Sequence, residues 1–143
     1  MARLDFVPAI HSKTFYCYGS VSVFTTSTAF VDMPDMSLTF NINKKSTCII
    51  VAKIGCVDQV TCGNFIATRL LIDNVEEDSS TFNALDAAEI IARTFVTIVL
   101  SKSKELSAGS HTVKVQWCID AGTAYNYGAT YGVRSISVLA VPG

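Results

Sequence analysis

The side chains that could act as a base, a nucleophile or a metal ligand are few and scattered along the chain. A hydrolytic site needs an exposed nucleophile beside a base that a third group orients. The two histidines, His11 and His111, are far apart in sequence, and neither lies near a Gly-x-Ser-x-Gly elbow. His111 opens the inward face of a predicted strand beside valines and Trp117, where a histidine is more often a packing residue than a base. The sequence therefore predicts no enzyme and no catalytic residue.

The cysteines show neither the spacing of a metal site nor that of a disulfide framework. There are five, with no Cys-x-x-Cys pair among them: Cys17, Cys48, Cys56, Cys62 and Cys118. Cys48 and Cys56 fall in one predicted strand and would be about 26 Å apart at about 3.3 Å per residue, whereas a disulfide needs Cα atoms within about 7 Å. We predict free, buried thiols that pack as small hydrophobic residues. A disulfide between other pairs is the alternative, and no metal site is expected.

An acidic segment could offer carboxylate oxygens to Ca²⁺ through Asp73, Glu76, Glu77 and Asp78. Its spacing is not that of an EF-hand, and the glycine of the sharp turn is missing. We predict a solvated loop at 73–78. No glycine-rich phosphate loop follows a predicted strand, so the sequence indicates no nucleotide and no other cofactor.

Tyrosines are the best candidates for a binding role. The predicted loop at 121–132 is rich in glycine and contains three of them: Tyr125, Tyr127 and Tyr131. Tyrosine combines a large contact area with a polar tip, and binding loops use such compositions; a plain hairpin connection has the same composition. Tyr16 and Tyr18 lie on the outward face of the first predicted strand, where recognition or subunit contact is the functional interpretation.

The composition indicates a partner subunit. Of 143 residues, 50% are hydrophobic and 16% charged, against a usual charged share of about 25%. Because a small monomer needs polar surface to stay dispersed, we expect a homo-oligomer that covers the apolar excess. The net charge of −1 gives no basic field for nucleic acid. The longest apolar run, at 47–57, is short and interrupted by Lys53, so no membrane span is expected.

The start of the chain lacks the apolar stretch of about 7–15 residues that a secretory signal contains. We therefore expect a protein that stays where it is made or leaves by a route without a signal, such as inside a virion. The sequence does not fix the localisation further.

Hydrophobic alternation with period two predicts an all-β, antiparallel sandwich of about eight strands. The predicted strands are 14–24, 29–31, 36–43, 47–57, 63–73, 94–102, 111–120 and 133–141. Turns are expected at 25–28 and at 32–35, where Pro34 needs no ladder donor. One short helix is predicted at 83–93, capped by Asn83 and supported by a Glu89–Arg93 pair. Residues 1–13 are predicted to be an N-terminal arm, and residues 14–143 a single domain.

The segment at 106–117, Leu-Ser-Ala-Gly-Ser-His-Thr-Val-Lys-Val-Gln-Trp, is followed by a glycine-rich loop and a closing valine-rich strand. This arrangement resembles the C-terminal half of small jelly-roll domains of the C1q/TNF-like kind. Similar domains occur in virion proteins, including tail fibres and capsid decoration proteins. The resemblance covers 14–141 in strand order and implies a jelly roll that is commonly a trimer.

Two functional hypotheses follow. The first is a non-enzymatic structural subunit of a homo-oligomer, with a trimer favoured, that serves as a virion decoration or fibre component and contacts other virion proteins. The second is a lectin-like module in which Tyr125, Tyr127 and Tyr131 stack on the rings of a surface glycan.

Overall fold

A computed structural model describes residues 11–59, 65–83, 96–128 and 132–143 as ten strands. They are β1 (Lys13–Gly19), β2 (Val23–Thr25), β3 (Val31–Ile42), β4 (Ser46–Gln59), β5 (Phe65–Ile72), β6 (Val75–Asn83), β7 (Val96–Leu106), β8 (Gly109–Ile119), β9 (Ala124–Asn126) and β10 (Arg134–Pro142). Every strand pairing is antiparallel. The predicted all-β, antiparallel class is confirmed.

The strands form two sheets that face each other across the core. Sheet A has the order β1-β10-β4-β9-β2, with β7 on the other edge of β4, and sheet B has the order β3-β8-β5-β6. Strands that follow one another in sequence often belong to different sheets, as β3 and β4 do, or β6 and β7. This order is that of a jelly roll, in which the chain crosses repeatedly between two layers.

Alternation along each strand decides which side chains enter the core. In β8, His111, Val113, Val115, Trp117 and Ile119 are all buried, as their spacing of two residues predicts. The inward residues of β10 and β4 meet them from the opposite sheet, including Ile136, Val138, Ile50 and Ile54. Interdigitation of the two inner faces makes one continuous core.

The turn predicted at 32–35 is wrong, because these residues lie inside β3. The register against β8 shifts between Asp32 and Ser37, which marks a bulge. Asp35 has a φ of 62°, and the bulge accommodates Pro34 without loss of a ladder donor. One bulged strand, β3 (Val31–Ile42), therefore stands where alternation predicted two separate strands at 29–31 and 36–43, and residues 29 and 30 lie outside it.

The loop predicted at 73–78 is also wrong. Asp73 and Asn74 form a two-residue hairpin turn with φ values of 49° and 66°, the left-handed conformation that such turns require. Glu76, Glu77 and Asp78 belong to β6. The predicted loop at 121–132 contains a further short strand, β9.

Several predictions fall on residues that the structure does not describe. The predicted helix at 83–93 lies outside the described residues except for Asn83, which ends β6. Residues 1–10 of the predicted arm, Cys62 and Tyr131 also lie outside them. The first strand begins at Lys13.

The described thiols are free: Cys17, Cys48 and Cys118. Cys48 is fully buried among the core residues, as the prediction of a small hydrophobic role requires. Burial raises the pKa of each of the three thiols, so they are held in the unreactive protonated form.

Candidate functional site

The outer face of sheet A, the face turned away from the core, carries a group of exposed large hydrophobic side chains. Six of them, each 36 to 58% exposed, come from four strands: Tyr16, Tyr18, Ile49, Val51, Val99 and Leu139. Contiguous exposed apolar surface on a soluble domain marks an interaction site. This face is the candidate functional site.

Strand pairing arranges this face in rows. Tyr16, Ser137, Val51 and Ser101 form one row across β1, β10, β4 and β7. Neighbouring rows are Thr14, Leu139, Ile49 and Ser103 on one side, and Tyr18, Ser135, Lys53 and Val99 on the other. Serines separate the larger side chains along these rows, and Lys53 is the one charge in the three rows.

The two tyrosines predicted in β1 are brought together on this face. The rings of Tyr16 and Tyr18 are stacked, with centroids 5.7 Å apart. Residues two apart along a strand point to the same side, so alternation positions both rings outward. The stacked pair offers an exposed aromatic surface with a polar rim, and tyrosines are enriched in protein interfaces.

The outer face of sheet B differs in that its polar side chains satisfy one another. Arg69 donates to Oε1 of Gln116 at 2.7 Å and forms an ion pair with Glu76 at 3.3 Å. Gln116 in turn donates to Asp32 at 2.7 Å, and this hydrogen bond lowers the pKa of Asp32. Lys114 completes the network at 3.3 Å from Asp32. This face of sheet B is thus largely polar, with Phe65 45% exposed on it, and the larger group of exposed apolar side chains is the one on sheet A.

A second aromatic group lies where β9 and β2 end sheet A. The ring of Tyr125 is 5.6 Å from that of Tyr127 and 5.9 Å from that of Phe24. The structure thus brings together two of the tyrosines predicted in the loop at 121–132. Sequence reasoning missed Phe24, although it lies between Val23 and Thr25 at an outward position of an alternating strand.

A buried arginine holds this end of the sheet in place. The Arg134 guanidinium donates through Nε to the Pro34 carbonyl at 2.6 Å and through Nη1 to the Val21 carbonyl at 2.6 Å. Nη1 also donates to Asn126 Oδ1 at 3.1 Å, and the Asn126 amide donates to the Gly55 carbonyl. These contacts connect β10, the β1–β2 loop, the β3 bulge, β4 and β9. Sequence reasoning missed Arg134, whose signal is a charge in the inward alternation of the last strand.

His111 is a buried structural residue, in agreement with its predicted packing position. Its Nδ1 lies 2.7 Å from Asp73 Oδ2, and its Nε2 lies 2.7 Å from the Ser107 carbonyl. Burial alone would lower the pKa of His111, but the hydrogen bonds to Asp73 and Ser107 outweigh it and raise the pKa. Both ring nitrogens are engaged, so this imidazole joins the β5–β6 and β7–β8 turns.

The acidic residues that could have held Ca²⁺ have other partners. The Glu77 carboxylate contacts Lys102 and Lys104 of β7. Asp78 accepts a hydrogen bond from the Ser101 backbone N–H at 2.9 Å. Within the described ranges, no three His, Cys, Asp or Glu side chains are grouped closely enough to hold a metal ion.

The parts of the chain that the structure describes contain no helix that is long and apolar enough to cross a membrane. No known protein family matches the sequence. No curated protein matches it either.

Solved structures do resemble the fold. The structure of Eiger TNF from S. frugiperda aligns with 90% of this chain and 92% of its own, with a TM-score of 0.53 and 9% sequence identity. Dimeric latent PorU from Porphyromonas gingivalis aligns with 99% of this chain, with a TM-score of 0.61 and 9% identity. The matched region is 14% of the PorU chain, so this chain corresponds to a small part of that protein. At this identity the likeness shows the fold alone, and that fold is a TNF-like jelly-roll sandwich.

Proposed function

We propose that this chain is a non-enzymatic structural subunit that assembles with two further copies of itself through the outer face of sheet A. The observation that carries the proposal is the exposed apolar surface made by Tyr16, Tyr18, Ile49, Val51, Val99 and Leu139. Burial of apolar surface is the main favourable term in association. The polar side chains on the outer face of sheet B already hydrogen-bond or pair with one another, so burial against a partner would stabilise them less.

Three copies are favoured over two by the kind of domain that the chain resembles. C1q/TNF-like jelly rolls are commonly trimers, and the fold similarity to Eiger TNF supports this choice. A ring of three closes by heterologous contacts, in which one part of the face meets a different part on the next copy. The stacked tyrosines of β1 and the exposed Val99 of β7 lie toward opposite edges of the face and could supply those two parts.

Mass in solution tests the assembly. Light scattering after size exclusion should give three times the 15.4-kDa chain mass. Val51→Lys places a charge at the centre of the face and should yield monomers, because three desolvated lysines would oppose contact. Ser37→Lys, at an exposed position of β3 on sheet B, is the matched control and should remain assembled. A monomeric wild type, or an assembled V51K, overturns the proposal.

We further propose that the assembled subunit belongs to a virus particle, as a decoration or fibre component. The support is the resemblance of the segment at 106–117 and its following loop to jelly-roll domains of virion proteins. An antibody against the purified chain should label the surface of particles isolated from the same source. Label confined to cell lysate, with none on particles, would contradict this role.

The cluster of Phe24, Tyr125 and Tyr127 favours a second candidate, a lectin-like module. Aromatic rings recognise the apolar faces of sugars, and three rings lie together at one end of sheet A. A glycan array should then show binding by the wild type that Tyr125→Ala with Tyr127→Ala abolishes, while the assembled mass stays unchanged. Equal signals for the two proteins would exclude these tyrosines as a sugar site.

A further inference from the structure

The end of the sandwich at which β1 begins and β10 ends holds a cleft of about 290 Å³. Its lining strand residues occupy inward-facing positions of both sheets. Lys13 precedes Phe15 by two residues on β1, Ile42 ends the inward face of β3, and Ala140 belongs to the inward face of β10. The cleft therefore opens between the two sheets and not on the outer face of sheet A.

Two lysines bring positive charge to this cleft. Lys13, Lys44 and His11 line it, and none of its lining residues is an aspartate or glutamate. Among the residues that the structure describes, no carboxylate forms an ion pair with Lys13 or Lys44. Lys45, the next residue of the same turn, is instead paired with Glu105 at 2.7 Å. Two unpaired lysines at one cleft leave room for an external anion.

The remaining lining is suited to hydrocarbon. The apolar lining residues are Ile42, Ala140 and Pro142, of which Ile42 and Ala140 expose only 3% and 2% of their surface to the cleft and solvent. Asn43, in the β3–β4 turn, adds a side-chain amide that can donate to an oxyanion. The volume is near the lower end of the range of about 300–1,000 Å³ that small-molecule sites occupy, so the ligand must be small.

We propose that this cleft binds a small organic acid, with its carboxylate between Lys13 and Lys44 and its hydrocarbon part against Ile42, Ala140 and Pro142. Charge-assisted hydrogen bonds from the lysines would fix the head group. Burial of the apolar part would add affinity that a simple inorganic anion lacks. The lining positions on β1 and β10 alternate with those of the outer face of sheet A, so the cleft and the proposed assembly surface lie on opposite sides of these strands.

An NMR titration of the ¹⁵N-labelled protein tests the proposal with three probes. Hexanoate carries both features, hexanol keeps the hydrocarbon without the charge, and sulfate keeps the charge without the hydrocarbon. Hexanoate should bind at least several-fold more tightly than either of the others. Its shifts should be confined to the amides around Lys13 and the β3–β4 turn, and the outer face of sheet A should be unaffected.

Substitutions separate a defined site from a general positive field. The double variant Lys13→Gln with Lys44→Gln should weaken hexanoate binding about tenfold. Each lost exposed ion pair between a lysine and the carboxylate accounts for about threefold of this. Lys45→Gln is the matched control in the same turn and should leave binding unchanged, because Lys45 is not among the residues that line the cleft. All these positions are at the surface, and a thermal melt checks that each variant folds. The proposal is overturned by equal binding of hexanoate and hexanol, by equal losses in K45Q and the double variant, or by no hexanoate binding.

Discussion

Arg134 and Asp35 form an ion pair between the inward face of β10 and the bulge of β3, with Nη2 2.6 Å from Oδ2. The arginine side chain is completely buried, whereas that of Asp35 is 55% exposed. A buried cation is costly unless its charge and its donors are satisfied. The bulge meets this requirement by presenting both a carboxylate and the Pro34 carbonyl to one guanidinium. The bulge and the arginine thus depend on each other.

Replacement of this arginine should destabilise the fold strongly. Arg134→Met keeps the length of the side chain but leaves the carbonyls of Pro34 and Val21 and the Asn126 amide oxygen without this donor. We expect a loss of about 3 kcal/mol or more in the free energy of unfolding, measured by urea denaturation. Lys44→Met, at an exposed lysine, should change it by less than about 0.5 kcal/mol. Equal midpoints for the two variants would show that the buried network contributes little.

Gly19 leaves the space that the same guanidinium occupies. A Cβ at this position would lie 2.5 Å from the Cζ of Arg134, well inside contact distance. Because the guanidinium is held from several sides, Gly19→Ala should cost about 1–3 kcal/mol of unfolding free energy. The same substitution in the R134M background should cost clearly less, since the rigid neighbour is gone. Additive costs in this double-mutant cycle would assign the effect to the backbone of Gly19 instead.

The His111–Asp73 pair should make stability depend on pH. The raised pKa of His111 means that its contribution is fully present below the ordinary histidine pKa of about 6.5 and is lost as the pH rises through the raised value. Burial would raise the pKa of Asp73, but the hydrogen bonds from His111 and Thr112 lower it. The aspartate contribution is therefore present above its ordinary pKa of about 3.9 and is lost as the pH falls through the lowered value.

Maximum stability from this pair should lie between those two ordinary values. The urea midpoint should be higher at about pH 5.5 than at about pH 8 in the wild type. His111→Gln should remove most of this difference, and His11 is unchanged in both proteins. An unchanged pH profile in H111Q would assign the dependence to other groups.

Local patterns predicted the faces of the strands well and their connections poorly. The inward residues of β8 followed from alternation because one side of this strand is buried. The strand predicted at 14–24 is too long, since β1 ends at Gly19 and Val21 lies exposed beyond it. Alternation ceases to apply once a strand ends.

Structural features that depend on residues far apart in sequence could not be predicted from the local sequence pattern. The β3 bulge is stabilised by Arg134, about a hundred positions further along the chain. The outward position of Tyr16 and Tyr18 was predicted, but the row that joins Tyr16 to Val51 and Ser101 depends on the order of strands in sheet A. The cleft likewise needs β1, β3 and β10 to meet at one end of the sandwich.

Glu77 links the two sheets at their open edge and should contribute measurably to stability. Its side chain is 9% exposed and contacts Lys104 Nζ and, at 3.4 Å, Lys102 Nζ, so that β6 of sheet B is joined to β7 of sheet A. The hydrogen bond from Lys104 lowers the pKa of Glu77, which therefore stays charged at neutral pH. Glu77→Gln should reduce the free energy of unfolding by about 1 kcal/mol, because the half-exposed lysines are partly screened by water.

The exposed ion pair between Lys45 and Glu105 provides the control for the contacts of Glu77 with Lys102 and Lys104. Lys45 and Glu105 are 66% and 59% exposed, so Glu105→Gln should have almost no effect on the urea midpoint. We also expect the difference in urea midpoint between E77Q and the wild type to shrink little in about 1 M NaCl. The effect of losing an exposed ion pair should shrink more, since salt screens buried charges less. If E77Q and E105Q unfold at the same urea concentration, the Glu77 contacts do not hold the edge of the sandwich together.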